Sequence, residues 1–271
     1  MSRWARLACG LASAAMPARP GHRVLVYHSI VDQPWHDADE MTVSRARLEA
    51  QLDAMGRRVG VMPLEAGRAG TVSLTFDDGF SDNVTLALPV LARRGLTATL
   101  FVIVEAVGAS AFRHLPAPPA GRQWARPVGW DELRRWVGAG FGIGLHGWDH
   151  TAFTAQAPAV LRPRLERGRK TLEDRLGIRV EDLAYPYGDY PHFDGDLAAM
   201  VAAMGFRRAY TLVAGRNAGR TPPTVLRRIR MSEWDDDELV GRKVEGRFDF
   251  LGAYQRLRHA VKRPSDQEVR A

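Results

Sequence analysis

Two neighbouring carboxylates, Asp77 and Asp78, directly follow the β-rich segment Ser-Leu-Thr-Phe. Adjacent residues on a strand point to opposite faces, but at the end of a strand both side chains can reach one cavity. In that position one carboxylate can bind a metal while the other accepts a proton. The alternative is a solvated Asp-Asp-Gly turn, which is a common turn sequence.

A pair of histidines, His146 and His150, follows another apolar stretch, Gly-Ile-Gly-Leu. Their spacing of four residues lets one helical turn place both imidazoles on one face, as metal ligation requires. The alternative is a pair of surface or helix-capping histidines. Two histidines at ligand spacing are more specific than any single histidine, and a carboxylate at the end of another strand strengthens the metal interpretation.

Three further positions place polar chemistry at predicted strands. Pro186 restricts Tyr185 to an extended backbone, so the Pro-Tyr-Gly turn containing Tyr187 can direct a backbone N–H and an aromatic ring into a cleft. A simple aromatic turn is the alternative. His28 ends the first predicted strand. Arg228 lies within an apolar strand, where its guanidinium needs a carboxylate partner unless it meets solvent at a sheet edge.

Short β-rich segments that alternate with helical patterns must position these residues. We predict strands at 23–27, 71–76, 97–104, 142–145, 182–185, 208–212 and 225–231. Such alternation predicts an α/β fold with parallel strands joined by helices, whose carboxyl ends are the usual place for a site. With about seven strands, a distorted (β/α) barrel is favoured over an open sheet.

The composition narrows the classes of protein and partner. The chain has 271 residues, of which 45% are apolar and 25% charged, so whole-chain disorder, collagen and coiled coil are excluded. A single cysteine, Cys9, rules out an intramolecular disulfide and a cysteine zinc site. The net charge of +7 favours an acidic partner, whether a polyanionic glycan, an anionic membrane or nucleic acid.

The motifs resemble those of the polysaccharide deacetylases, also called carbohydrate esterase family 4 or the NodB-homology domain. The resemblance extends over residues 23–230 and rests on TFDDG, His-x-x-x-His and the Pro-Tyr-Gly turn, in the order of the family. The segment LTATLFVIVEAVG and the run Trp-Asp-Glu-Leu at 130–133 are also similar. Members fold as distorted (β/α) barrels and remove N- or O-acetyl groups from glycans with a divalent metal.

The resemblance implies a role for each motif residue. Asp78, His146 and His150 are the implied metal ligands, Asp77 the catalytic base, and Tyr187 the donor of a backbone N–H to the oxyanion. An Asp-His-His set suits zinc, and also cobalt, nickel, iron or manganese. The implied substrate is a glycan that contains N-acetylhexosamine.

Other functions remain open beside this one. The same fold and metal can cleave a small amide or imide, and an inactive glycan-binding module is a further alternative. No nucleic-acid partner is expected, because charge alone supports one. The oligomeric state is not defined by the sequence.

Two features depart from the family pattern. An Arg usually stands two residues before the Pro of the third motif, where this chain has Ala184, and the late Leu-x-x-His motif that supplies the general acid is absent after residue 192. Circularly permuted deacetylases that act on poly-N-acetylglucosamine also carry a Tyr-His near the start and an Ala-Tyr-Pro-Tyr-Gly turn. By that resemblance His28 supplies the acid, and Arg228 is the candidate that replaces the missing Arg and orients Asp77.

The predicted barrel domain comprises residues 23–240, and the two ends of the chain are predicted to lie outside it. Residues 1–22 resemble a leader or a weak signal, and 241–271 a basic amphipathic helix with a tail. That helix either packs on the domain or lies on an anionic membrane surface. The weak leader favours a cytoplasmic or membrane-peripheral location, with the periplasm as the alternative.

The remaining histidines and one tryptophan receive no functional assignment. Trp148 is either a sugar-stacking platform or part of the core. The histidines predicted to lie on the surface are His22, His36, His114, His192 and His259.

Overall fold

The structure is a computed structural model that describes residues 3–33, 41–118 and 121–262. His36 lies outside these ranges. In chain order the strands are β1 (Arg23–Tyr27), β2 (Ser29–Val31), β3 (Thr42–Ser44), β4 (Gly60–Val61), β5 (Thr71–Phe76), β6 (Thr99–Val102), β7 (Gly142–Leu145), β8 (Asp182–Ala184), β9 (Arg208–Tyr210) and β10 (Arg228–Arg230). The helices are α1 (Arg3–Ala15), α2 (Arg45–Gly56), α3 (Leu88–Arg93), α4 (Trp130–Gly138), α5 (Pro158–Leu176), α6 (Gly195–Ala203), α7 (Asp237–Glu245) and α8 (Phe250–Lys262).

Parallel strands form a nearly closed barrel in the described residues, in the order β10-β1-β5-β6-β7-β8-β9. The chain after β9 closes most of the remaining gap, because Thr211 N donates to Leu226 O at 2.7 Å and Leu226 N donates to Ala209 O at 2.8 Å. Strands β1 and β5 are buried along their whole length, as expected for parallel strands covered by helices. The predicted seven-stranded (β/α) barrel is confirmed.

Each of the seven predicted strands is present, and three have the predicted bounds. The others are shorter by one to four residues, because the ladder ends where the chain turns into the loops that carry polar side chains. All seven strands run in parallel, so their carboxyl ends meet at one mouth of the barrel. Asp77, His146 and the turn at Tyr187 follow β5, β7 and β8 at this mouth, and His28 follows β1.

The N-terminal segment packs on the other end of the chain. Arg242 in α7 donates to Gly10 O at 2.7 Å, and Arg247 donates to Met16 O at 3.0 Å. Ser13 in α1 is fully buried in this contact region. The described part of the predicted leader therefore forms a helix that is docked against α7.

The single helix predicted from residue 241 onward is wrong in its extent. Helix α7 starts at Asp237 and ends before Gly246, which adopts a left-handed conformation with φ of 85°. A glycine in this conformation is a common helix terminator. The chain then resumes as α8 at Phe250. The domain boundary predicted at residue 240 thus falls inside α7.

Helix α8 is fastened to the loops at the barrel mouth. The backbone of Gly252 lies so close to Ala214 that a Cβ there would stand 2.2 Å from the Ala214 carbonyl oxygen. Gln255 accepts a hydrogen bond from Ala214 N at 2.8 Å and donates to Leu212 O at 3.0 Å and Asp189 Oδ1 at 3.2 Å. Helix α8 therefore supports the turn that carries Tyr187.

His22 was predicted to lie on the surface, but it is half-buried next to β1. Its Nε2 is 2.9 Å from Ser73 Oγ, whose hydroxyl lies 3.3 Å from the Pro63 carbonyl oxygen. That carbonyl oxygen can only accept, so the Ser73 hydroxyl donates to it and accepts from His22. Burial, together with the positive charge of Arg23, lowers the pKa of His22 to about 4.

We expect His22 to make the fold sensitive to acid. The unfolded chain binds the imidazole proton near pH 6.5, while the folded chain resists it down to about pH 4, so this stability is present above pH 6.5 and is lost as the pH falls toward 4. When the pH is lowered from about 7 to about 4.5, the melting temperature of His22→Gln should fall less than that of wild type. Circular-dichroism melts with His259→Gln as the control measure this, and equal losses in wild type and His22→Gln would contradict it.

Candidate metal centre and catalytic cleft

The Asp78 carboxylate is buried at the mouth of the barrel, and neither of its oxygens has a hydrogen-bond partner in the described residues. Its Oδ1 is 3.4 Å from His146 Nε2 and 3.5 Å from His150 Nε2, and its Oδ2 is 3.6 Å from His114 Nε2. A buried carboxylate without donors is costly. Imidazole nitrogens directed at it from three sides fit a cation held among them.

The spacing of these donor atoms suits a divalent metal. Two ligands about 2.0–2.1 Å from a tetrahedral ion lie about 3.3 Å apart, close to the separations of 3.4 to 3.6 Å seen here. His146 Nδ1 is 2.9 Å from Ala184 O, which can only accept, so Nδ1 carries the proton and Nε2 keeps a lone pair directed at Asp78. Such a contact to the main chain orients metal-binding histidines.

The two predicted histidine ligands, His146 and His150, each lie close to Asp78, and the structure adds His114 beside the same carboxylate. The prediction that His114 lies on the surface is wrong, because only 13% of its side chain is exposed. One ligand atom from each of Asp78, His114 and His150 lies within 4.8 Å of the other two, and this group among the described residues does not include His146. His114 belongs to no motif and no periodic pattern, so no local signal in the sequence identifies it.

Arg228 and Asp77 form a buried ion pair inside the barrel. Arg228 Nη1 donates to Asp77 Oδ1 at 2.6 Å and Nη2 donates to Oδ2 at 2.8 Å, and the Arg228 side chain is 0% exposed. Burial alone would raise the pKa of the Asp77 carboxyl, but the positive charge and the hydrogen bonds of Arg228 outweigh burial, and the pKa is lowered. Asp77 is therefore ionised at neutral pH. Burial of Arg228 excludes the solvent contact considered as its alternative.

His28 lies beside the two carboxylates, because Tyr27 pairs with Phe76 in the β1–β5 register and the next residues are His28 and Asp77. Its Nδ1 is buried and has no partner in the described residues, while its main-chain oxygen accepts from Asn83 at 2.7 Å. Burial lowers the pKa of His28 to about 4, against the opposing effect of Asp78 and Asp77. The imidazole is neutral at neutral pH.

The Pro-Tyr-Gly turn places Tyr187 at the rim of the cleft. Its ring lies 4.7 Å from the ring of His150, and 47% of the residue is exposed. His192, predicted to lie on the surface, is half-buried against the same ring at 5.0 Å. Gly188 permits the turn, since a Cβ there would lie 2.7 Å from Leu212 N. Among the described residues, no group accepts a hydrogen bond from the Tyr187 N–H.

Backbone strain is concentrated in this cleft. Within 3–33, 41–118 and 121–262, the non-glycine residues with positive φ are Asp78 at 72°, His150 at 64° and Tyr187 at 63°. This conformation is uncommon for residues with a Cβ, and it clusters at functional sites where the surrounding structure enforces it. The strained backbone directs these three residues toward the same space.

Trp148, between the two motif histidines, serves mainly as packing. It is half-buried against the main hydrophobic core, and the guanidinium of Arg167 lies 4.1 Å from its ring centroid. One face of the indole is thus covered by Arg167. Of the two interpretations left open by the sequence, core packing fits these contacts.

We expect that replacing Arg228 lowers the free energy of unfolding more than replacing a similar but less buried arginine does. The variant Arg228→Met leaves the Asp77 carboxylate buried and uncompensated, and should lower the free energy of unfolding by about 3–5 kcal/mol. The double variant Asp77→Asn/Arg228→Met should lose less than the sum of the two single variants. Urea denaturation measures these values.

Arg208 provides the matched control, because it makes the same two-point contact with Asp182 at 2.6 and 2.8 Å but is partly exposed. Arg208→Met should cost less than Arg228→Met. Additive losses in the double variant would contradict the coupling between Asp77 and Arg228.

Comparison with known proteins agrees with this geometry. A family model described as polysaccharide deacetylase matches residues 65–209, just over half of the chain. YxkH of Bacillus subtilis (strain 168) is 23% identical over 174 residues, which are 64% of this chain and 56% of YxkH. The peptidoglycan-N-acetylglucosamine deacetylase PgdA of Listeria monocytogenes is 28% identical over 118 residues, which are 43% of this chain and 21% of PgdA.

A similar solved structure covers most of the chain. IcaB from Ammonifex degensii superposes with a TM-score of 0.66 at 26% identity, over 86% of this chain and 100% of that one. By contrast, the chain spans about half of YxkH and about a fifth of PgdA. Both the residues matched and the barrel they form lead to one conclusion: the chain belongs to the polysaccharide deacetylase family, a family of metal-dependent enzymes.

Proposed function

We propose that this protein is a metal-dependent deacetylase that removes acetyl groups from N-acetylhexosamine units of a polysaccharide or oligosaccharide. The observation that carries the proposal is the pairing of two buried carboxylates with different partners. Asp77 is neutralised by Arg228, whereas Asp78 faces imidazole nitrogens. One carboxylate is thus available as a base and the other as a metal ligand. The relationship to PgdA, a peptidoglycan-N-acetylglucosamine deacetylase, supports the substrate class.

We propose zinc as the metal, held by Asp78, His146 and His150. Cobalt, nickel, iron and manganese suit the same oxygen and nitrogen donors. A divalent metal bound there lowers the pKa of a water molecule and polarises the acetyl carbonyl. The tautomer of His146, fixed by Ala184 O, presents a lone pair for this purpose.

Asp77 acts as the general base in this proposal. Arg228 grips both of its oxygens and lowers its pKa, so the carboxylate is ionised and fixed in orientation before substrate arrives. It accepts a proton from the attacking water. The oxygen of that water bonds to the acetyl carbon, and the N–H of Tyr187 stabilises the negative charge that develops on the carbonyl oxygen.

His28 completes the reaction as a proton relay. Its imidazole is neutral at neutral pH, so it must gain a proton before it can act as an acid. We propose that it takes the proton accepted by Asp77 and delivers it to the nitrogen of the leaving amine. The C–N bond then breaks, and acetate and the free amine are released. In this proposal the general acid is the residue that directly follows β1.

Acetate release from N-acetylglucosamine oligomers, before and after chelation, tests the proposal. Hydrolysis should stop on chelation and return with added Zn²⁺. Asp77→Asn should lower kcat by about 10²-fold or more, and His28→Ala should also lower kcat, because each removes a proton-transfer group. Asp131→Asn, on the exposed face of α4, should leave the rate unchanged and is the control.

Each alternative gives a different result in the same assay. Cleavage of small amides or imides without cleavage of the oligomers would assign the chain to the small-amide hydrolases. Metal binding with no hydrolysis of either class, but retention on the glycan, would assign it to the binding modules. Wild-type rates in Asp77→Asn would contradict the assigned base.

We further propose that α8 lies on an anionic membrane surface, which makes the protein membrane-peripheral. Tyr254, Leu257 and Val261 share one helical face and are 58%, 64% and 68% exposed. The exposed arginines Arg256 and Arg258 lie on the same helix. Exposed apolar side chains with flanking basic residues suit an interface with anionic lipid. None of the described helices combines the length and hydropathy needed to cross a bilayer.

Co-sedimentation with vesicles tests this placement. The protein should sediment with vesicles that contain phosphatidylglycerol and stay free with phosphatidylcholine alone, and added salt should weaken the binding. Leu257→Ser should reduce binding several-fold, whereas Ala260→Ser, at another exposed position of α8, should not. Equal binding to both vesicle types would reject an electrostatic contribution.

A further inference from the structure

The described residues of the long segment between β6 and α4, 103–118 and 121–129, pack at the barrel mouth beside the loop that follows β5. Phe112 packs on Phe80 with ring centroids 4.6 Å apart, and Trp124 approaches the same ring at 6.2 Å. The main chain of this segment also pairs with the residues that follow the Asp-Asp motif, because Val128 N donates to Gly79 O at 2.8 Å. The segment is therefore held directly beside Asp78.

His114 projects from this anchored segment into the metal centre. Its ring packs edge-on against Phe112 at 5.4 Å and lies 4.1 Å from the ring of His150. Its Nε2 is buried, has no hydrogen-bond partner in the described residues and stands 3.6 Å from Asp78 Oδ2. The segment thus delivers a polar nitrogen to the unpartnered oxygen of Asp78.

The distance between Asp78 and His114 distinguishes two explanations for this contact. A direct hydrogen bond between an imidazole N–H and a carboxylate would span 2.7–3.2 Å, so 3.6 Å is too long. Two ligands of one tetrahedral ion lie about 3.3 Å apart, and His114 is nearly as close to Asp78 as His146 and His150 are. A shared cation satisfies both orphaned atoms at once.

We propose that His114 is a fourth protein ligand of the metal, supplied by the segment between β6 and α4. This inference rests on the proposed metal site and not on the glycan substrate. A metal bound there would be held in part by His114, because Asp78, His114 and His150 offer ligand atoms within 4.8 Å of one another. Three protein ligands leave a position open for water or substrate, and the imidazole of His114 would compete with the substrate for that position.

Metal titration of wild type and variants tests the proposal without substrate. We expect His114→Ala to bind Zn²⁺ at least about tenfold more weakly in calorimetry, since one ligand is lost. With Co²⁺, the visible absorption spectrum of the variant should differ from that of wild type, because a water oxygen would replace an imidazole nitrogen in the ligand set. His192→Ala, which removes a nearby histidine that does not face Asp78, should match wild type in both measurements.

The substitution His114→Ala should weaken the binding of Zn²⁺ but lower the KM for the substrate. At saturating metal the variant should cleave N-acetylglucosamine oligomers with a lower KM than wild type, because the substrate no longer competes with the imidazole. Unchanged Zn²⁺ affinity and an unchanged Co²⁺ spectrum in His114→Ala would overturn the proposal, including when its hydrolysis is lost. Weaker binding and an altered spectrum, with no hydrolysis by any form, would uphold the fourth ligand and instead reject the proposed deacetylase activity.

Discussion

The two-point contact between Arg228 and Asp77 sets the electrostatics of the whole barrel mouth. Asp77 and Asp78 are consecutive, buried and both ionised, which no apolar interior tolerates without compensation. Arg228 supplies one positive charge, and both of its terminal nitrogens donate hydrogen bonds to Asp77. Asp78 is left to the imidazoles around it, although burial opposes its charge. Neighbouring residues of one type thereby acquire different chemistry, a held base and a metal ligand, because only one of them has a guanidinium.

This division of roles depends on a backbone that the barrel holds in place. Asp78, His150 and Tyr187 have left-handed conformations that cost free energy in residues with a Cβ. Each directly follows or closely trails a strand of the parallel sheet, whose ladders resist relaxation of the turn. The hydrogen bond from His146 to Ala184 O adds a contact between the loop after β7 and the end of β8. The fold therefore contributes orientation, and the side chains contribute the donor atoms.

The parts of the molecule that have a local signal in the sequence are predictable from it. The seven strands, the Asp-Asp pair and the two motif histidines carry periodicity, spacing or a strand-end position, and Arg228 was identified from the need of a buried guanidinium for a carboxylate. His114 had none of these. Its position follows from Phe112 packing on Phe80, a contact between distant segments that no pattern encodes. The sequence does not reveal the break in the C-terminal helix at Gly246, because a basic amphipathic pattern continues across it. It does not reveal the burial of His22 either, because its partner Ser73 lies on another strand.

The closed order of the barrel explains how residues from both ends of the chain can serve one centre. His28 and Arg228 lie outside the stretch matched by the family model, at 65–209. Strand β1 nevertheless lies between β10 and β5, so the first and last strands of the barrel stand side by side, next to the strand that leads to the two carboxylates. A side chain on any strand near this mouth can approach Asp77, whatever its position in the sequence. Ala184 holds the place where an Arg is usual in the family, and its main-chain oxygen orients His146 instead. The guanidinium comes from β10, because the constraint is on charge at the mouth and not on the strand that provides it.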